Sequence, residues 1–515
     1  MNAIELSIFT SRIEAVCDEM GAVLRRAAFS PNIKERLDYS CAIFDANGEL
    51  SAQAAHIPVH LGSMAYAMRD IVRDIAWCQG DMVILNDPYL GGTHLPDVTL
   101  IAPAFISGEL VAFVANRAHH ADIGADVPGS MPLSTHLDDE GLVIAPTRLL
   151  INDEIDEEVF TSIMASLHDG ERAKGDFLAQ ISANRNGVAA LTRLVSGIGV
   201  VDYNVALSEL NAYAGRLAKQ TLQSIPDGEY QFDDVMDDDA HGQHDIRICC
   251  IVNVENGDVS IDFSGTSPQV KGNINAPLSV AAASVYYVFR CLMPPQTPAC
   301  AGSFHHIHLS APVGSLLNAC YPAAVSAGNV ETSSRVVDVV MGALAQAIPQ
   351  QIPAASHGSM NNLAMGARHP GDSWDYYETM GGGMGASAFH DGLAAVQTHM
   401  TNTLNTPIEA LEMNYPLRVR RYGIRHHSGG AGEYRGGDGL VREFEFLKPA
   451  SFTLITERRF NCPWGLAGGE AGSAGENRLN GSDIGAKVQR TAQKGDRLTV
   501  MSAGGGGWGW AKKSM

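Results

Sequence analysis

Glycine is the sequence feature that most constrains how this 515-residue chain can fold. Its 53 glycines cluster at 381–385, 428–439, 465–475 and 504–509. Glycine permits turns and close backbone approaches that a Cβ atom forbids, so the clusters predict tight turns and closely packed backbone. The alternative is a flexible low-complexity linker, but Trp, Tyr, Phe and Arg are interleaved with the glycines and disfavour it. We therefore predict a glycine-rich β region over 351–515.

The rest of the chain alternates between helical and strand-like patterns. Residues 4–28 carry apolar residues at helical spacing, as do residues 153–222, which contain no proline. Short apolar runs between residues 39 and 116 indicate strands, and a composition shift follows at 225–228. The patterns predict a mixed α+β chain with an N-terminal region over 1–225 that includes the helical segment 153–222. A strand and helix region over 226–350 then precedes the glycine-rich part.

The charge balance excludes some classes of partner. Lys and Arg number 36 against 57 Asp and Glu, so the net charge is −21. Such a chain repels nucleic-acid phosphates and anionic membrane surfaces. The N-terminus lacks the basic and apolar regions of a signal peptide, and no apolar run reaches the roughly 18 residues of a membrane span. Nine cysteines without a CxxC pair fit a reducing compartment, so we predict a cytoplasmic protein.

Residues that can bind metals are concentrated in three stretches near the predicted strands. These are 35–38 (ERLD), 86–97 (NDPYLGGTHLPD) and 116–122 (NRAHHAD). In the third, His119 and Asp122 are three residues apart, which brings an imidazole and a carboxylate towards one cation in a turn or helix. Histidines with carboxylates suit Zn²⁺, Mn²⁺ or Fe²⁺. Hydrogen-bonded structural histidines are the alternative, because 18 histidines allow accidental pairs.

Motifs for other chemistry are missing from the sequence. The chain has no GxSxG nucleophile elbow and no GxxxxGK[ST] phosphate loop. If ATP takes part in the reaction, it is predicted to bind outside these familiar loops.

Several longer motifs resemble one known family across nearly the whole chain. They lie at 86–89 (NDPY), 91–94 (GGTH), 116–124 (NRAHHADIG), 328–333 (GNVETS), 377–383 (YETMGGG), 401–407 (TNTLNTP), 428–432 (SGGAG) and 504–509 (GGGGWG). In this order they resemble the hydantoinase B/oxoprolinase family, with a family unit spanning about 4–510.

The resemblance implies one subunit of a heteromeric, ATP-dependent enzyme. A partner chain of the hydantoinase A type is expected to bind ATP and Mg²⁺ and to phosphorylate the substrate oxygen. The expected substrate is a lactam or cyclic imide, similar to hydantoin or 5-oxoproline. A ketone carboxylase subunit of the acetone or acetophenone type is one alternative, and a non-catalytic scaffold subunit is another.

The resemblance also implies roles for individual residues. The metal ligands it implies are Asp38, His94, His119 and Asp122, with His120 as the alternative to His119. Two carboxylates, Asp87 and Glu35, are candidates for the general base of the reaction. Asp97 is expected to orient the ligating imidazoles.

Overall fold

The computed structural model describes residues 1–54, 57–368 and 373–511, and it confirms the predicted mixed α+β class. The helices are α1 Ala3–Ala27, α2 Pro31–Lys34, α3 Pro58–Arg73, α4 Glu157–Ala165, α5 Gly170–Ile198, α6 Val200–Leu222, α7 Leu278–Leu292, α8 Ser333–Leu344 and α9 Ile408–Asn414. No single described helix is long and apolar enough to cross a membrane. Only α5 and α6 together pass by length and composition, with a 102° bend between them.

The strands form four sheets. The N-terminal sheet contains β1 Tyr39–Asp45, β2 Leu50–Gln53, β3 Met82–Leu85, β4 Asp97–Ile106, β5 Glu109–His119, β6 Thr147–Ile151 and β7 Glu154–Ile155. The second contains β8 Gly228–Asp238, β9 His244–Glu255, β10 Asp258–Asp262 and β11 Ile307–Ser310. The C-terminal strands are β12 Asn362–Ala367, β13 Trp374–Glu378, β14 Leu417–Arg425, β15 Gly439–Phe446, β16 Ala450–Ile455, β17 Glu476–Leu479, β18 Ser482–Asp483, β19 Lys487–Ala492 and β20 Arg497–Met501.

The N-terminal sheet has the order β2-β1-β5-β4-β3-β6-β7, and its neighbouring strands are antiparallel. Helices α1, α5 and α6 cover one face, and α3 covers the other. Its central strands β4 and β5 are buried almost throughout, which is why they read as apolar runs rather than as alternating patterns. At one end of this strand pair, apolar residues give way to polar ones: β4 begins there with Asp97, and β5 ends there with His119.

The middle of the chain places a second polar segment beside that end. The sheet of order β11-β10-β9-β8 packs against α7 and α8. A π-helical turn over Gly328–Thr332 leads directly into α8, and all five of its residues are buried. Such turns often occur at functional sites. This one reaches the polar end of β4, as described below.

The C-terminal region contains two sheets, β13-β12-β16-β19 and β14-β15-β20-β17-β18. Between the strands, glycine segments pack backbone against backbone. A Cβ atom on Gly383 would lie 2.0 Å from the carbonyl oxygen of Gly437, and one on Gly505 would lie 2.1 Å from that of Met384. Hydrogen bonds such as Gly505 N–H to the Gly437 carbonyl join these segments. The predicted close backbone packing is therefore present, while the division into three regions stays a prediction.

Candidate metal centre

The centre of the polar end is a pair of residues on adjacent strands. Asp97, the first residue of β4, lies opposite His119, the last residue of β5. His94 stands three residues before Asp97, in the turn that enters β4, and its side chain returns to the same place. All three residues are buried, with exposures of 0%, 0% and 3% for His94, Asp97 and His119.

The three side chains converge through one carboxylate oxygen. Asp97 Oδ1 lies 3.2 Å from His94 Nε2 and 3.2 Å from His119 Nδ1. One donor atom from each residue lies within 4.8 Å of the other two. In the described part of the chain, this is the one group of three or more His, Cys, Asp or Glu residues that meets this distance. Ligands held about 2.1 Å from one ion are about 3.0–3.4 Å apart. The observed separations therefore fit a divalent ion.

Hydrogen bonding around the two imidazoles leaves room for that ion. His94 Nδ1 lies 3.1 Å from the Ser326 carbonyl oxygen, so this nitrogen carries the proton and donates it. The Nε2 atoms of His94 and His119 are buried, and neither makes a well-aligned hydrogen bond to another described residue, although His94 Nε2 lies 3.2 Å from Asp97 Oδ1. Buried polar atoms normally have partners. His94 Nε2 lies beside Asp97, whereas His119 faces Asp97 through Nδ1 and leaves its other nitrogen, Nε2, without a partner, so each imidazole retains a buried nitrogen that could bind a cation.

Burial and neighbouring charges shift the pKa of each of the three donor residues. Burial alone would raise the pKa of the Asp97 carboxyl, but the charges of His60 and His94 outweigh burial and hold it well below its usual range. Burial lowers the pKa of His119, which keeps its imidazole neutral. The pKa of His94 is raised: burial lowers it, but the charge of Asp97 outweighs that effect. An ionised carboxylate and neutral imidazoles are the forms that bind metals, so the lowered pKa values of Asp97 and His119 favour a metal, whereas the raised pKa of His94 opposes it.

Three further side chains hold the second oxygen of Asp97. The Thr93 hydroxyl donates to Oδ2 at 2.7 Å, His60 Nε2 lies 3.1 Å away, and Asn329 Nδ2 donates at 3.3 Å. Sequence reasoning missed His60, because it lies in α3, far along the chain and with no carboxylate at a ligand spacing. Asn329 belongs to the 328–333 motif, one of those that carry the family resemblance, and that motif is the sequence feature that could have pointed to Asn329 as part of the site.

Asp38 lies at the same end of the sheet. It immediately precedes β1, and its carbonyl oxygen accepts a hydrogen bond from the His119 N–H at 3.1 Å. Its carboxylate lies 4.0 Å from His60 Nε2 and 3.5 Å from Arg36. Tyr377 completes this wall, because its ring stacks on His119 with the ring centres 4.6 Å apart.

Asp122 and His120 lie outside the group. Asp122 is half-buried in the turn after β5, where its two oxygens accept hydrogen bonds from the N–H groups of Gly124 and Asp169. His120 points towards α5, where its Nε2 lies 2.9 Å from Gln180 Oε1. Both line a separate cavity that shares Tyr377 with the metal centre. The structure brings His94 and His119 together, and the assignment of Asp122 as a ligand stays a prediction.

The two predicted base candidates are not part of the group either. Glu35 ends α2 and lines an open surface groove with Arg25 and Lys34. Asp87 caps a short 3₁₀ turn over Pro88–Leu90 by accepting a hydrogen bond from the Tyr89 N–H at 2.8 Å. Burial raises the pKa of Asp87. Their catalytic roles also stay predictions.

Comparison with known proteins places this site in a family context. The family model for hydantoinase B/oxoprolinase matches residues 2–511. The chain is 38% identical to 5-oxoprolinase 1 of Arabidopsis thaliana over 99% of its own length, and it spans 42% of that relative.

Two solved structures share the fold. An ATP-dependent caprolactamase from Pseudomonas jessenii matches with a TM-score of 0.91 and 28% identity, covering 99% of this chain and 91% of that one. The nucleotide-free structure of an ATP-dependent acetone carboxylase matches with a TM-score of 0.88, covering 98% of this chain and 75% of that one. The latter pair is 18% identical, so this second likeness concerns the fold alone.

Proposed function

The chain belongs to the hydantoinase B/oxoprolinase family, and we propose that it is the metal-bearing subunit of an ATP-dependent enzyme that opens a lactam or cyclic imide. The observation that carries this proposal is the buried group of His94, Asp97 and His119, in which one nitrogen of each imidazole lies 3.2 Å from the same Asp97 oxygen. The likeness to a caprolactamase supports the amide substrate class.

His94, Asp97 and His119 would hold the ion, and Asp38 is the proposed fourth ligand. A divalent ion would supply Lewis-acid polarisation of a carbonyl or phosphoryl oxygen and would favour ionisation of water at neutral pH. The protein residues fix its geometry: the Ser326 carbonyl sets the tautomer of His94, and three donors hold Asp97 Oδ2. Tyr377 restricts rotation of His119 and excludes water from one side of its ring.

ATP is proposed to act on a partner chain of the hydantoinase A type. The sequence has no GxxxxGK[ST] phosphate loop, and more than half of the Arabidopsis 5-oxoprolinase lies outside the part that this chain matches. An unactivated lactam resists hydrolysis because its amide resonance must be broken. Phosphorylation of the lactam oxygen by the partner would turn that oxygen into a leaving group, so that water could attack the activated carbon.

Reconstitution of the two-subunit enzyme tests this function. The chain is combined with its A-type partner, and release of ADP is measured with hydantoin, 5-oxoproline or caprolactam as substrate. We expect ATP consumption that depends on one of these amides and falls at least 100-fold in His94→Ala. Consumption that instead requires a ketone and bicarbonate would replace the hydrolase by a carboxylase. Full turnover by the His94→Ala complex would leave this chain the role of a scaffold.

A further inference from the structure

One short segment reaches the metal centre at two points. The carbonyl oxygen of Ser326 accepts the Nδ1 proton of His94 at 3.1 Å. Three residues later, Asn329 donates to Asp97 Oδ2 at 3.3 Å. The two contacts orient two of the three proposed ligands, so the position of segment 325–329 determines the geometry of the site.

A buried carboxylate holds the start of this segment. Glu140 is 0% exposed and lies at the end of the 3₁₀ turn Leu137–Glu140. Its Oε1 accepts hydrogen bonds from the N–H groups of Val325 and Ser326, both at 2.9 Å. The hydroxyl of Ser134 donates to the same oxygen at 2.7 Å. Ser326 is thus held through its N–H by Glu140, while its carbonyl oxygen holds His94.

Asn273 holds the segment from its other side. Its carbonyl oxygen accepts hydrogen bonds from Ala327 and Gly328 at 3.0 and 3.1 Å. Its side-chain Nδ2 donates to the Ser326 hydroxyl at 3.0 Å. Together, Glu140 and Asn273 accept a hydrogen bond from every backbone N–H from Val325 to Gly328.

We propose that Glu140 is a positioning residue of the metal centre, which acts on His94 and Asp97 through segment 325–329. This inference rests on the proposed metal site but not on the identity of the substrate. Among the described residues Glu140 makes no hydrogen bond to the three ligands, but it accepts one from Ser326, whose carbonyl oxygen accepts one from His94. Burial raises the pKa of Glu140 to about 7.

Metal titration of the full-length, metal-free chain tests the proposal without any turnover. Affinities for Zn²⁺ and Co²⁺ are measured by competition with a chromophoric chelator, and the visible spectrum of bound Co²⁺ reports the ligand geometry. Glu140→Ala removes the acceptor, and Glu140→Asp withdraws it by one methylene. We expect both to weaken binding about 10- to 100-fold and to change the Co²⁺ spectrum. Glu140→Gln keeps the reach and the acceptor oxygen, so it should stay within about threefold of the wild type.

Leu137→Ala is the matched control, because Leu137 is buried in the same 3₁₀ turn but its side chain cannot hydrogen-bond to segment 325–329. It should lower stability and leave metal affinity within about threefold of the wild type. Wild-type affinity in both Glu140→Ala and Glu140→Asp would overturn the proposal.

If neither Glu140 variant folds, Asn273→Ala decides, since it releases the Ser326 hydroxyl in the same segment. An unchanged affinity there would also overturn the proposal, and a loss of about tenfold or more would support it. Failure of the wild-type chain itself to bind either ion would instead refute the proposed function.

Discussion

Glu331 offers a quantitative test of the buried polar interior next to the metal centre. It lies in the π-helical turn and is 0% exposed. Its Oε1 accepts hydrogen bonds from the Met360 N–H at 3.0 Å and from Asn362 Nδ2 at 2.6 Å, while Oε2 has no partner among the residues described. Burial, followed by the charge of Glu457, raises the pKa of Glu331 to about 8. The perturbation is Glu331→Gln, which keeps the shape and the Oε1 acceptor.

The sign and size follow from the two pKa values. Between the ordinary value of 4.5 and about 8, the folded state holds a proton that the unfolded state has lost. Stability therefore falls as the pH rises through this range, because unfolding releases the proton. At 1.36 kcal/mol for each pH unit, the full loss is about 5 kcal/mol. Glu331→Gln has no such loss, so its stability relative to wild type should increase with pH.

The assay is the melting temperature of both proteins from pH 5 to pH 9 at one scan rate. About 4 kcal/mol of this loss falls between pH 5 and pH 9, and an unfolding entropy of roughly 1.1 kcal/mol/K for a chain of 515 residues converts it into a shift of about 3–4 °C. The difference between Glu331→Gln and wild type should grow by about this amount with rising pH. Glu229→Gln, an exposed substitution on β8, is the control and should show no such trend. A difference that stays constant or shrinks with pH would refute the reasoning.

Three further predictions concern the metal centre. His119→Ala should weaken Zn²⁺ binding at least about 100-fold in a chelator competition. Asp122→Asn should keep the wild-type affinity, because the Asp122 oxygens accept hydrogen bonds from backbone N–H groups. A large loss of affinity in Asp122→Asn would support Asp122 as a ligand. Tyr377→Phe keeps the stacked ring and should retain affinity, while Tyr377→Ala should lose about tenfold; equal affinities would exclude a role for the stack. Zn²⁺ at about 100 times its Kd should stabilise the wild type by about 2.7 kcal/mol and raise its melting temperature, but not that of His119→Ala; an equal rise in both would place the ion elsewhere.

The sequence was informative where the signal is local. The helical spacing, the apolar strands and the glycine clusters each depend on neighbouring residues, and the corresponding helices, strands and close backbone contacts are present. His94 and Asp97 are also close in sequence, and the stretch that contains them stood out by composition. The polar end of β5 drew attention to His119 for the same reason.

The rest of the site depends on contacts that no spacing encodes. His119 ends β5 opposite Asp97, whereas His120 lies just beyond the strand and contacts Gln180 of α5, a difference that the adjacent pair in the sequence does not reveal. Asp122 is three residues from His119 in sequence, and the hydrogen bonds that its carboxylate accepts from Gly124 and Asp169 are likewise set by the turn after β5 and not by that spacing. His60, Ser326 and Asn329 come from distant elements, and only the folded chain places them beside Asp97 or His94.

The most direct test of the central claim is an anomalous diffraction map from crystals of the metal-loaded chain, recorded on both sides of the absorption edge of the bound ion. The structure predicts one strong peak within about 2.3 Å of His94 Nε2, a carboxylate oxygen of Asp97 and a ring nitrogen of His119. Asp38 is the expected fourth protein ligand. A map with no peak at this group, or with its strongest peak at Asp122 or another site, would contradict the account.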